Sequence, residues 1–278
     1  MTVSLNRRTT PLVLILCAAL AATAVFLAAP SRRPRGEGLM IACGEDLAGQ
    51  IVAYAARTGS SRVGSVDMRR LSFLQLSDCC GTQAEFALAG GDFDMAVLCP
   101  DAAQKFLSSG LPFRVVGGLV KNANVLVARD AAHPRTVGYI NGRDLQRQAV
   151  FANLGGAVQL HPIAAPALPY ALECGAVDAV VLDAADAIKL PQYRNRALPC
   201  DAPSAVLVVH EALLGSTDFK DFVGHYNDTV GRLEASLCEE LLPQVLGVEC
   251  GEETLRAWHK MNVQLLTLPA PISPAEGG

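Results

Sequence analysis

The chain has 278 residues, about half of them apolar and 18% charged, with a formal net charge of −4. That length accommodates one large or two modest globular units. Its apolar content excludes a disordered chain, and the absence of any Lys/Arg run in the body excludes a basic nucleic-acid surface.

The first residues differ from the rest. Arg7 and Arg8 precede an uncharged stretch from Pro11 to Pro30, and Arg32, Arg33 and Arg35 follow it. This is the pattern of an export segment over residues 1–36, about long enough to cross a bilayer as a helix. Ala28 and Ala29 permit cleavage, which is favoured over a retained anchor. Thr9, Thr10 and Pro11 suit the general secretory route better than the twin-arginine one. Leu16 stands where a small residue would precede a lipidated cysteine, so Cys17 is not read as a lipid site. Eight cysteines remain after Cys17: Cys43, Cys79, Cys80, Cys99, Cys174, Cys200, Cys238 and Cys250. Export implies an oxidising compartment, so disulfides are expected, with Cys238–Cys250 and Cys174–Cys200 as local closures.

From residue 38 short apolar runs alternate with amphipathic stretches, as in parallel strands linked by helices. A strand over 38–43 leads to a helix over 46–57, with Leu47, Ile51 and Tyr54 on one face. A strand over 71–77, a helix over 82–89 and a strand over 94–99 follow, with Pro100 in the first turn of the next helix, where its missing N–H costs nothing. The phase then changes: residues 113–120 and 124–129 are β-rich with no long helix between them, which predicts a crossing between two units. The alternation resumes with strands over 136–140, 157–163 and 178–183 and helices over 142–152 and 167–173. Residues 204–210 form a second predicted crossing. The tail over 218–261 is mostly helical and carries the one tryptophan, Trp258, which is expected to pack the tail onto the first unit.

"FALAGGDFDMAVLC" (86–99) aligns with "YALECGAVDAVVLD" (170–183), matching at Ala87/Ala171, Leu88/Leu172, Gly91/Gly175, Asp94/Asp178, Val97/Val181 and Leu98/Leu182. Both read as a helix end, a Gly-containing turn and a buried strand, which makes two related lobes the expected architecture. On these phrases, with "NVLVARD" and "SAVLVVHEALL", the chain over about residues 38–265 resembles the type II periplasmic solute-binding proteins of ABC importers. Within them it is most similar to the sulfonate, nitrate and thiamine-precursor receptors. The resemblance implies an α/β, two-lobed fold with two β crossovers between the lobes. Lobe I would comprise residues 37–119 plus 208–278, and lobe II residues 120–207.

In open parallel α/β sheets, ligands bind beyond the carboxyl ends of the strands, where helix starts present free N–H groups. That rule selects Cys43, Cys79, Cys80 and Cys99 from the first lobe and Asn141, Gly142, His161 and Asp183 from the second. Cys99 aligns with Asp183, so one position faces the cleft from each side. Three readings of the cysteines stay open: disulfides between neighbouring strand ends or a vicinal Cys79–Cys80 bridge, a soft-metal site of thiolates, and buried thiols that only pack. His161 has loop hydrogen bonding as its alternative to solute contact, Asp183 has capping of the helix after it, and Asn141-Gly142 an ordinary turn.

The expected function is capture of a small solute by an extracytoplasmic receptor that closes about hinges near 117–129 and 203–210 and docks on an ABC permease. Helix starts near residues 44, 81, 100 and 142 favour an anionic or zwitterionic solute, and aromatic residues at 5% disfavour a sugar-stacking pocket. No catalytic residue, cofactor, metal or nucleic-acid partner is expected, and a monomer suffices. The alternatives are an enzyme resembling the thiamine pyrimidine synthase, of which "DCC" at 78–80 is a faint echo, and a membrane-anchored sensor domain.

Overall fold

The structure is a computed structural model in which residues 39–58, 72–75, 93–129 and 133–270 are described. The export segment, the helix expected over 82–89, and Cys79 and Cys80 lie outside these residues. No helix among the described residues is long and apolar enough to cross a membrane.

The chain begins with β1 (Met40–Cys43), α1 (Leu47–Thr58), β2 (Ser72–Gln75), β3 (Met95–Leu98), α2 (Pro100–Leu107) and β4 (Phe113–Lys121). It continues through β5 (Asn124–Ala128), β6 (Thr136–Ile140), α3 (Asp144–Leu154), β7 (Gln159–Ile163), α4 (Leu168–Glu173), β8 (Ala179–Asp183), α5 (Ala184–Ala187) and β9 (Arg194–Ala197). It returns by β10 (Ala205–His210) to α6 (Thr217–Ala235), a π-helix (Leu237–Val245), α7 (Glu252–Met261) and β11 (Gln264–Leu265). Two sheets result, ordered β11-β4-β10-β3-β1-β2 and β7-β6-β8-β5-β9. In the first, β1 runs parallel to β2 and β3, and β10 lies antiparallel between β3 and β4. In the second, β6 runs parallel to β7 and β8, and β5 lies antiparallel between β8 and β9.

The central strands follow from their composition. Every residue of β3 is buried, as is all of β8 except Asp183, because both faces of these strands are covered and only continuous apolar runs tolerate that. Helix α1 buries Leu47, Ile51 and Ala55, spaced one turn apart, on the first sheet. Strand β9 was not expected. Its sequence, RNRA, is polar with two arginines facing solvent, which suits an edge strand but leaves no apolar signal.

The repeat seen in the sequence has a structural counterpart. Met40 N donates to Asp94 Oδ2 at 2.8 Å and Asp94 N to Met40 O at 3.0 Å. In the second lobe Thr136 N donates to Asp178 Oδ2 at 2.9 Å and Asp178 N to Thr136 O at 3.1 Å. Each aligned aspartate thus ties the start of a parallel strand, β1 or β6, to the strand that ends its own repeat, β3 or β8. The N–H groups of Thr136 and Arg135 hold the Asp178 carboxyl below its ordinary range.

The two crossings run side by side. The outward one turns at Asn122, whose φ of 60° suits asparagine better than a branched side chain. Ala123 N donates to Ser204 Oγ at 2.9 Å, Ser204 N to Val120 O at 2.7 Å and Cys200 N to Asn122 Oδ1 at 3.3 Å. Asn122 Nδ2 reaches Asn262 O at 3.1 Å, which fastens the end of α7 to the crossing.

One expectation is corrected here. Cys238–Cys250 is a disulfide, but Cys174 and Cys200 are both thiols. Cys174 ends α4 ahead of β8, whereas Cys200 bonds to Asn122, near Asn124, which pairs with Asp183 at the far end of β8. A five-residue strand lies between those ends, about 17 Å at 3.3 Å per residue, whereas a disulfide needs Cα atoms within about 7 Å. The tail packs on the first lobe as expected, and it also reaches the second. Trp258 is buried, but α7 packs beside β9 of the second sheet, covering an edge that would otherwise be open.

Candidate functional site

The carboxyl ends of β1, β3, β6 and β8 meet where the two sheets face each other, and the lobes are shut on one another there. Among the described residues a space of about 10 Å³ lies between them, close to the volume that admits one water. Cys99, Pro100 and Asp101 line it from the first lobe, and Asn124, Arg143 and Gln146 from the second. Cys200, Pro203 and Ser204 close it on the side of the return crossing.

The aligned pair Cys99 and Asp183 hold equivalent positions. Each is the N-cap of the helix after its strand: Cys99 Sγ accepts from Ala102 N at 3.4 Å, and Asp183 Oδ1 from Ala185 N at 2.9 Å. Capping is thus shown for both, and Cys99 also lines the small cavity.

Asp183 also reaches across the cleft. The same Oδ1 accepts from Leu47 N at 2.8 Å, the first N–H of α1 in the other lobe. The opposite wall mirrors this, since Asp101 Oδ2 accepts from Leu145 N, in the first turn of α3, at 3.3 Å. Arg143, the N-cap residue of α3, supplies no side-chain cap of its own. A helix start in each lobe is therefore partnered by a carboxylate from the other. The starts near residues 44 and 142, expected to be free, are occupied in this form, and the start at Pro100 is capped by Cys99.

Burial, with Asp46 beside it, pushes the Asp183 carboxyl up to about 7, and burial also raises Asp186 and Asp101. Among the described residues Asp46 and Asp186 lie about Asp183, with Glu45 and Lys189 near Asp186. Gln146 is almost completely buried and frames the second wall: its Oε1 accepts from Ile140 N at 3.1 Å, and its Nε2 donates to Asn124 Oδ1 at 2.8 Å.

The remaining residues expected at the site divide. Cys43 is buried at the end of β1, level with Gln75 of β2, and burial pushes its thiol up to about 11, so it stays protonated at neutral pH. Asn141 and Gly142 form the exposed turn into α3, with φ of 84° at Gly142. His161 falls in the middle of β7, opposite Gly138, two residues short of the carboxyl end where it was expected. Strand β7 is an edge strand extending to Ile163, so the histidine stands back from the cleft. Sequence reasoning missed Asp101, Asn124, Gln146 and Ser204. Asp101, in the first turn after a strand end, carried the one signal that could have found it.

Alkylation tests the protonated state of Cys43. At pH 8 iodoacetamide is expected to label exposed Cys174 in the native protein while Cys43 reacts only after denaturation, because the thiolate is the reactive species. Equal labelling of the two, read by peptide mass spectrometry, would contradict the burial described.

No family model and no curated protein matches the chain. Solved structures do. The zinc-bound ligand-binding component of an ABC-type import system from Staphylococcus aureus aligns with a TM-score of 0.62 at 13% identity, covering 84% of this chain and 86% of that one. The alkanesulfonate-binding protein of Xanthomonas axonopodis pv. citri, bound to MOPS, aligns at 0.58 and 16% identity, covering 84% and 88%. A Candida albicans protein described as having the generic periplasmic binding protein fold aligns at 0.56 and 15%, covering 83% and 82%. The chain thus has the two-lobed α/β fold of the periplasmic binding proteins, as its sequence led us to expect.

Proposed function

We propose that this chain is the extracytoplasmic substrate-binding component of an ABC importer, which takes a small solute between its lobes and presents the closed form to a membrane permease. The observation that carries this reading is the cavity between the lobes at the strand carboxyl ends, beside two adjacent crossings that can act as a hinge. Such a receptor needs differential contacts in its closed state and no catalytic group. Residues 1–36 would export or anchor it, and the lobes would divide near 119–123 and 204–208.

A small solute carrying both an anionic and a cationic group fits best. The start of α3 with Arg143 offers donors to an anion, while Asp46, Asp183 and Asp186 suit an ammonium group. Neighbours that bind zinc or a sulfonate buffer are consistent with a fold whose cleft chemistry varies among its members.

Equilibrium dialysis against a small-molecule extract, read by mass spectrometry, is the test. One compound class is expected to be retained unchanged and released by Asn124→Ala. Conversion of the compound instead of retention would favour an enzyme on the same fold, and retention of nothing would overturn the receptor reading.

A further inference from the structure

The two hydrogen bonds across the cleft are reciprocal. Lobe II caps the first helix of lobe I through Asp183 and Leu47 N, and lobe I caps the first long helix of lobe II through Asp101 and Leu145 N. Neither helix start needs the other lobe in order to fold. The first N–H groups of a helix have no intrahelical partner and are satisfied equally well by water. In this form both starts are partnered across the cleft, and moving the lobes apart would exchange each contact for solvent. They also fall on the helix starts to which an anionic group would bind.

We propose that Asp183 and Asp101 are paired latches across the shut cleft, the protein's own carboxylates occupying the helix starts that the solute must win on binding. That role for the solute rests on the receptor reading above, whereas the test needs no solute, so the two can fail separately. If the latches hold, solute binding is a competition, and apparent affinity is reduced by the fraction of molecules that are latched.

Closure of this kind is linked to protons. Asp183 faces Asp46 from lobe I and Asp186 on its own helix, both of which raise it, and the N–H groups of Leu47 and Ala185, which lower it. Asp101 faces Asp144, which raises it, and Leu145 N, Arg143 and Lys105, which lower it. Loss of water outweighs the favourable partners at both positions, so each carboxyl holds its proton more tightly shut than open. A group raised in the closed form takes up a proton on closing. Latching is therefore fully favoured below the ordinary carboxylate range and is lost as the pH rises through the closed-form value, about 7 for Asp183. A neutral carboxyl still accepts an N–H through its carbonyl oxygen, so the latch survives protonation.

Hydrogen exchange of the full chain, with rates divided by their intrinsic values at each pH, reads the latches directly. In the wild type, peptides covering 44–50 and 143–148 are expected to be protected at pH 5. The closed-to-open ratio then falls by up to about tenfold per pH unit for each proton released, until the latch is spent. Asp183→Ala is expected to lower protection about tenfold or more in both peptides, while β10 stays protected as the check on folding. Asp183→Asn keeps an acceptor without the charge, so protection persists and its pH dependence flattens. The latch is refuted if Asp183→Ala exposes only residues 184–190, the local helix it caps, or if both peptides exchange freely in the wild type at every pH. Should Asp183→Ala not fold, Asp101→Ala carries the same test, since Asp101 is not the N-cap of its own helix. Release of 143–148 supports the latch, and unchanged protection there overturns it.

Discussion

Breaking Cys238–Cys250 is expected to lower the unfolding free energy by about 3 kcal/mol, the loop-closure value for a bridge spanning so few residues. The two cysteines lie twelve positions apart. Cys238 stands in a π-helix that carries Pro243 inside it and buries Leu241, Leu242 and Val245. Its backbone is poorly suited to hold itself, since proline lacks the N–H that a helix interior uses. The bridge delivers the chain to Gly251, where α7 begins and carries Trp258 and Met261 into the core. Loss of the bridge should therefore be felt at the crossing too, through the bond from Asn122 to Asn262 O. Denaturation of the Cys238→Ala/Cys250→Ala chain checks this. A melting temperature lower by about 6–12 °C is expected for a chain of this size, and an unchanged midpoint would show that the tail is held by its apolar contacts alone.

Gly49→Ala is the second large effect, and two opposing terms decide it. Alanine in a helix interior is favoured over glycine by about 1 kcal/mol. A Cβ at residue 49, however, would run into the carbonyl oxygen of Gly44, a backbone group that cannot rotate away. Overpacking of this kind costs about 1–3 kcal/mol and more when the obstacle is main chain, so the clash wins. The segment that must yield, 44–46, carries the Asp46 side chain that caps α1 through Gly49 N at 2.8 Å, and leads into Leu47 N, which meets Asp183. A displacement near 1 Å there is expected to weaken solute retention by about tenfold or more, a loss out of proportion to the fall in stability. A variant with wild-type retention and a raised melting temperature would mean that the loop gives way freely.

Much of the fold was legible because its signals are local. Continuous apolar runs marked β3 and β8, and the change of phase near residue 113 marked the outward crossing. Asp94 and Asp178, aligned in the repeat, proved to do the same work in each lobe. Strand β9 was hidden because an edge strand is not required to be apolar. His161 was placed at the cleft although the strand expected over 157–163 already ran two residues past it, and the pairing of β7 with β6 out to Ile163 holds it back from that end.

The candidate site was legible as a set of strand ends but not as a set of contacts. Cys99 and Asp183 could be named from the repeat, since equal positions after equal strands face the same way. That Asp183 would meet Leu47, 136 residues away, depends on how the two lobes approach, and no local pattern encodes that. The same holds for the thiols, where cysteine count suggested pairing but the length of β8 keeps Cys174 from Cys200. By itself, then, the sequence determined the alternation, the doubling and the ends at which a ligand would be met, because apolar period and turn chemistry act over a few residues. Tertiary structure alone decided which helix start each carboxylate caps, because hydrogen bonds across a cleft depend on distances between lobes that the chain joins only through its two crossings.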